Sequence, residues 1–142
     1  MKKVYVILIA IFLLVLSFWW LIVSPMSYIR STTGFNCFFA YEIYSYDAID
    51  HGKDYDNIRI IRLSSLDQHR IYNYLENKKE WNSLPIPDYI RKDRLCSIQY
   101  DVNIDQMLRT ENGFWFYKEG HQLNIYDIEK GLLYIRKASV IL

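Results

Sequence analysis

The sequence predicts an α+β protein: a single N-terminal transmembrane helix followed by a small antiparallel sheet of four or five strands, with one main helix packed on it. Three observations predict this class. Val4–Val23 is an uncharged run in which Ser17 alone falls outside the hydrophobic set. The C-terminal half holds short β-branched and aromatic runs punctuated by Asn-Gly, Glu-Gly and Glu-Lys-Gly turns. Between these regions, one stretch with apolar residues at helical spacing begins Ser64-Ser65-Leu66-Asp67, a weak capping box.

The apolar run is long enough for a bilayer, because about 20 helical residues rise about 30 Å. A helix also satisfies its own backbone hydrogen bonds in lipid. Lys2, Lys3 and the terminal amine precede the run, and Arg30 is the one charge in the ten residues after it. That bias puts the N-terminus in the cytoplasm and residues 24–142 on the extracytoplasmic side of a cell (inner) membrane, as a single-pass protein. Tyr5 and the trio Phe18, Trp19 and Trp20 fall near the two interfaces. A cleaved signal peptide is the alternative. Its apolar core is normally about 7–15 residues with a small-x-small site after it, whereas here Ser24-Pro25-Met26-Ser27 follows. An uncleaved signal anchor over residues 1–23 fits better, with a linker at 24–36 and an extracytoplasmic α+β domain at 37–142.

Within that domain, Cys37 to Tyr46 alternates imperfectly and reads as a strand. Residues 47–57, with Asp47, Asp50, Gly52, Asp54 and Asp56, read as an acidic loop, and Ile58–Leu63 as a β-branched strand. The helix from Ser64 runs to about Lys79 and turns Leu66, Ile71, Tyr74 and Leu75 to the core. Pro85 and Pro87 enforce an extended break. Leu95–Val102 alternates as a strand, and Asn103–Arg109 forms one or two helical turns. Strands at 114–118, 123–127 and 132–137 complete a meander, with Asn112-Gly113 as a turn.

The chain of 142 residues allows one compact domain plus an appendage. Its 17 Lys+Arg and 16 Asp+Glu leave a formal charge of +1, which removes any whole-chain electrostatic case for nucleic acid. The two cysteines, Cys37 and Cys96, both follow the anchor, so an oxidising compartment predicts one disulfide between them. Closing a loop of about 60 residues would stabilise the fold by about 4 kcal/mol. The three histidines have no i+3 or i+4 partner, and the acidic loop lacks the EF-hand spacing, so no metal or cofactor is expected. Nucleophile motifs and phosphate loops are also missing from the sequence.

What remains is surface chemistry. Tyrosine, 13 in number, supplies contact area at low entropy cost, and it gathers around the acidic segment. Tyr44, Tyr46, Asp47, Asp50, Asp54, Tyr55 and Asp56 form the expected interface for a protein partner. The expected function is a membrane-anchored binding protein with no enzymatic activity; the alternative is a small cell-envelope hydrolase with a carboxylate site. One anchor followed by a compact, disulfide-closed α+β domain is similar in outline to the periplasmic immunity proteins that neutralise bacteriocins. The likeness implies an inhibitory partner contact and transfers no residue, since it is one of architecture.

Overall fold

The computed structural model describes residues 2–50, 54–96 and 102–140, with the backbone alone at residues 2–3, 21–23, 49–50, 54–55, 94, 102 and 140. In chain order the elements are α1 (Lys2–Val23), α2 (Pro25–Thr33), β1 (Ala40–Asp50), β2 (Asp54–Leu63), α3 (Ser65–Glu76), β3 (Asn82–Ser83) and α4 (Asp88–Arg91). A 3-10 turn (Arg94–Cys96), α5 (Val102–Leu108), β4 (Gly113–Lys118), β5 (Gln122–Asp127) and β6 (Leu132–Val140) follow. The protein is α+β, with six strands in one antiparallel sheet ordered β1-β2-β6-β5-β4-β3.

The strands β4, β5 and β6 fall where the meander was expected. The strand expected at 95–102 does not: Arg94–Cys96 is a 3-10 turn, Val102 opens α5, and 97–101 lie outside the described residues. The acidic loop expected at 47–57 is largely strand. β1 continues through Asp50, and β2 starts at Asp54, with Asp47 opposite Asn57 and Ala48 opposite Asp56; His51, Gly52 and Lys53 lie outside the described residues. Four aspartates weaken strand propensity locally, but the long ladder with β2 and β6 overrides it.

The linker expected at 24–36 is instead mostly helix. Ser24 caps α2 by accepting from the Ser27 amide, Pro25 occupies the first turn, and Gly34 closes the helix with φ 75°. The residues that read as a flexible connector are therefore a start signal and a stop signal. Ile29 from α2 is fully buried in the core. α3 keeps its expected cap, with the Asp67 amide donating to Ser64 Oγ at 3.2 Å, but its buried face differs. Asp67 is buried beside Ile71 and Leu75, whereas Leu66 is exposed.

Helices cover both faces of the sheet, and the expectation of one helix on one face is corrected. Neighbours along a strand point to opposite faces, and neighbours here divide between two apolar clusters. Ile61, Leu63, Leu133 and Ile135 join Ile29 of α2 and Ile71 of α3. Ile58, Ile60, Leu132 and Tyr134 join Ile90 of α4 and Ile104 of α5. The two faces are called below the α3 face and the α5 face. β4 and β6 read as nearly continuous apolar sequence over Phe114–Tyr117 and Leu132–Ile135 because both sides are covered.

This layering also separates the cysteines. Cys37 packs on the α3-face cluster and Cys96 on the α5-face cluster, and both are free thiols. A disulfide needs Cα atoms within about 7 Å, and packed layers stand about 10 Å from a sheet, so the expected Cys37–Cys96 bridge is not formed. Burial pushes each thiol up to about 11.

In α1, every described side chain from Val4 to Trp20 is exposed. Among the described residues no single helix is long and apolar enough to cross a membrane. Val4–Trp20 and Pro25–Thr33 together, bent by 43°, match a span by length and composition.

Candidate functional site: the open β1 edge

β1 is the outermost strand on one side of the sheet. It pairs inward with β2 from Ala40 to Asp50, and among the described residues no strand pairs with its outer side. Its 11 residues carry no Pro, Lys or Arg, three of the residues that blunt an edge. Tyr41, Ile43 and Tyr46 are exposed on it, and Phe38 and Phe39 lead into it, at 67% and 55%. Large apolar side chains gathered at one surface mark an interaction site.

The β1 ladder carries one irregularity, a register shift between Glu42 and Tyr44. The bulged residue is Ile43. Before it, Glu42 sits opposite Ile61 on the α3 face and Tyr41 opposite Arg62 on the α5 face; after it, Tyr44 and Tyr46 sit opposite Ile60 and Ile58 on the α5 face, and Asp47 opposite Asn57 on the α3 face. The extra residue therefore returns Glu42 and Asp47 to the same face although their numbers differ by an odd count. Between Tyr41 and Asp47 the edge has an acidic side and a tyrosine side.

Two buried polar groups fix this edge. The first is Asp67, whose side chain is wholly buried. Its Oδ2 accepts from the backbone amides of Phe38 and Phe39 at 2.8 and 2.9 Å and from the Ser64 hydroxyl, while Oδ1 accepts from Arg70 at 2.6 Å. The Arg70 guanidinium lies 4.1 Å from the Phe38 ring centroid, a cation–π contact that holds an exposed ring in place. The second is Asn57, which is fully buried. It accepts from the Tyr28 hydroxyl at 2.6 Å and donates to Asp47. Tyr28 belongs to α2, so the first helix of the domain sets the position of an edge carboxylate.

Arg59 on β2 serves both acids, donating to Glu42 at 2.6 Å and to Asp47 at 3.5 Å. Burial works against its charge, but the Glu42 hydrogen bond and the two nearby carboxylates outweigh it and raise the guanidinium above its ordinary value. Lys137, one strand further in on β6, is lowered by burial and then by Arg59. Both cations sit over the Tyr28 ring, at 4.9 and 4.8 Å. Charge is thus sorted across the sheet, positive inboard and negative at the rim. The Asp47 side chain remains 48% exposed.

The residues expected at the interface separate into three groups. Tyr46 and Asp47 lie exposed on β1, and Tyr44 is half-buried on the α5-face cluster. Asp50, Asp54 and Tyr55 are known by register alone: Asp50 opposite Asp54, and Tyr55 between Ile49 and Ser139. Asp56 is an internal residue in function, because its two oxygens accept from Arg136 Nε and Nη2 at 3.3 and 3.1 Å and the Arg136 side chain is 1% exposed. Phe38, Phe39, Tyr41, Glu42 and Ile43 were missed as site residues. Their signal was the imperfect alternation of 37–46, which a bulge explains.

Elsewhere, a shallow groove of about 390 Å³ is lined by Gly34, Phe35, Asn36, Arg70, Asn73 and Tyr74. Its ionisable groups are engaged, Arg70 with Asp67 and the Tyr74 hydroxyl with the Thr33 carbonyl at 3.2 Å. Among the described residues, no group of three or more His, Cys, Asp or Glu is placed to hold a metal ion.

No protein family, curated protein or solved structure matches the chain.

Proposed function

We propose that this protein is a membrane-tethered binding module. Its N-terminus faces the cytoplasm, and its extracytoplasmic domain holds or blocks a protein partner that adds a strand to β1. The observation that carries this reading is the open, aromatic β1 edge in a sheet covered on both faces. Strand addition to such an edge supplies main-chain hydrogen bonds, and the flanking side chains supply selectivity. Anchoring is supported by α1, which carries Lys2 and Lys3 at its start and is uncharged and exposed from Val4 to Trp20.

The test is site-specific photo-crosslinking in the native envelope, with the photoreactive residue at Tyr46 in one strain and at Asn82, on the opposite edge, in another. A discrete adduct from position 46 and none from 82 is the expected result. Equal adducts from both, or none from either, would overturn the reading. Protease added to intact spheroplasts should digest the domain; a domain digested only after lysis would reverse the orientation.

A further inference from the structure

We infer that the strand received by β1 alternates basic and apolar side chains, with the basic ones on the α3 face; this rests on the edge-binding reading above. A strand added to a sheet continues both of its faces, so each incoming side chain meets the β1 residues on its own side. On the α3 face those residues are Glu42 and Asp47, and on the α5 face Tyr41, Tyr44 and Tyr46. On the α3 face β1 carries two carboxylates, Glu42 and Asp47, and the strand carries no cation; the third, Asp50, opposite Asp54, falls by register on the α5 face. The nearest opposite charge, Arg59, lies on β2 and is shared between Glu42 and Asp47, which leaves acidic charge in excess at the rim. Lysine or arginine on an incoming strand would answer it at cross-strand distance. Aliphatic or aromatic residues at the alternate positions would cover the tyrosines.

A second copy of this chain fits worse. Two β1 strands paired about a twofold axis normal to the sheet keep each face on its own side, which brings two sets of Glu42 and Asp47 together with no cation from either strand.

The experiment uses the full chain in nanodiscs of uncharged phosphatidylcholine and three fluorescein-labelled decapeptides read by anisotropy. One alternates lysine and valine, one alternates glutamate and valine, and one is the lysine–valine peptide N-methylated at every second residue. The lysine–valine peptide should bind about tenfold or more tighter than the glutamate–valine peptide at low salt, and the gap should shrink as salt screens the pairs. Glu42→Gln with Asp47→Asn should reduce the gap to about threefold or less. The salt series on the unaltered protein gives the same information should that variant fold poorly. N-methylation, which removes main-chain donors, should abolish binding. Equal affinity for the two charge patterns, with N-methylation still abolishing it, overturns the basic-strand inference and leaves the edge reading standing. Binding that survives N-methylation, or no binding of any peptide, overturns both.

Discussion

The two edges of the sheet are built on opposite plans. At the far edge, β3 is two residues long and covers β4 where Phe114 and Trp115 stand. The chain then leaves the plane at once: Leu84 donates its amide to the Gly113 carbonyl, and Pro85 and Pro87 carry it toward α4. Trp81 packs against Phe116 with ring centroids 5.8 Å apart, and Trp115 donates its indole N–H to the Ser83 carbonyl at 3.0 Å. Among the described residues that edge leaves only β3 and the last three residues of β4, Phe116–Lys118, unpaired on their outer side. The near edge, β1, is 11 residues long and aromatic and carries no Pro or Lys, although a bulge and three carboxylates interrupt it. Both edges belong to one sheet, ordered β1-β2-β6-β5-β4-β3. An edge that folding could have closed, as it closed β3, has been left open and rigid, and the Asp67 and Asn57 networks hold it in that state.

The largest expected effect comes from separating the open-edge hairpin from the rest of the sheet. The Asp56–Arg136 pair joins β2 to β6 below the α5-face helices, and Asp56→Ala leaves a buried guanidinium without its counter-charge. Stability should fall by about 3–5 kcal/mol, measured by urea denaturation. Hydrogen exchange should show β1 and β2 opening before β4 and β5. Uniform acceleration across all strands would mean that the two halves are not separable.

Next in size is Asp67→Ala, which strips the partner from two backbone amides and from Arg70. A loss of about 2 kcal/mol is expected, together with faster exchange at the Phe38 and Phe39 amides and weaker crosslinking from Tyr46. An unchanged crosslink would show that the Phe38–Phe39 segment is not part of the working edge.

Alkaline pH should act more weakly and on both halves. Cys37 and Cys96 are raised from 9.0 to about 11 by burial. Burial, followed by the hydrogen bond to Asp93, raises Tyr117 on β4 from 10.0 to about 12. In each case the folded protein holds the proton more tightly than the unfolded chain. Stability is therefore intact below the unfolded value and is lost as pH rises toward the folded one. The thermal midpoint should decline from about pH 9, and Cys37→Ala with Cys96→Ala should postpone the decline to about pH 10, where Tyr117 of the unfolded chain begins to titrate while the folded one keeps its proton. In denaturant without reductant, alkylation should label two thiols per chain. A single disulfide-linked species would contradict the layered placement of the cysteines.

The smallest effect on stability is expected from blunting the rim itself. Tyr41→Lys should change stability by no more than about 0.5 kcal/mol, as an exposed substitution, while lowering crosslinking from position 46 and any self-association. Asn82→Lys on the closed edge serves as the control and should change neither.

Much of the covered half was legible. Short apolar runs between Gly-containing turns mark β4, β5 and β6, and Ser64 three residues before Asp67 marks the start of α3, because these signals are local. Gly113 is a partial case. Its sequence reads as a hairpin turn, but it opens β4 at φ 147°, where a Cβ would collide with the Tyr126 carbonyl oxygen. The open edge was harder to read. Asp47, Asp50, Asp54 and Asp56 look like a solvated loop in isolation and become strand through pairing across to β6. Asp56 looks like surface until Arg136 is seen beneath it, 80 residues away in sequence. Asp67 was read as a capping residue, but its grip on Phe38 and Phe39 spans 28 and 29 positions and leaves no local trace.

By itself the sequence determined the class of fold, the apolar N-terminal helix with its flanking lysines, and the tyrosine and acid content of one region. Helix caps, turns and hydrophobic periods act over a few residues and are written locally. Tertiary structure alone decided which strand became an edge, that helices close both faces, and that the two cysteines lie on opposite sides. It also decided, through a single bulged residue at Ile43, that Glu42 and Asp47 share one face while the tyrosines share the other. Side-chain direction in a sheet depends on register with the neighbouring strand, and register is set by partners far away in the chain.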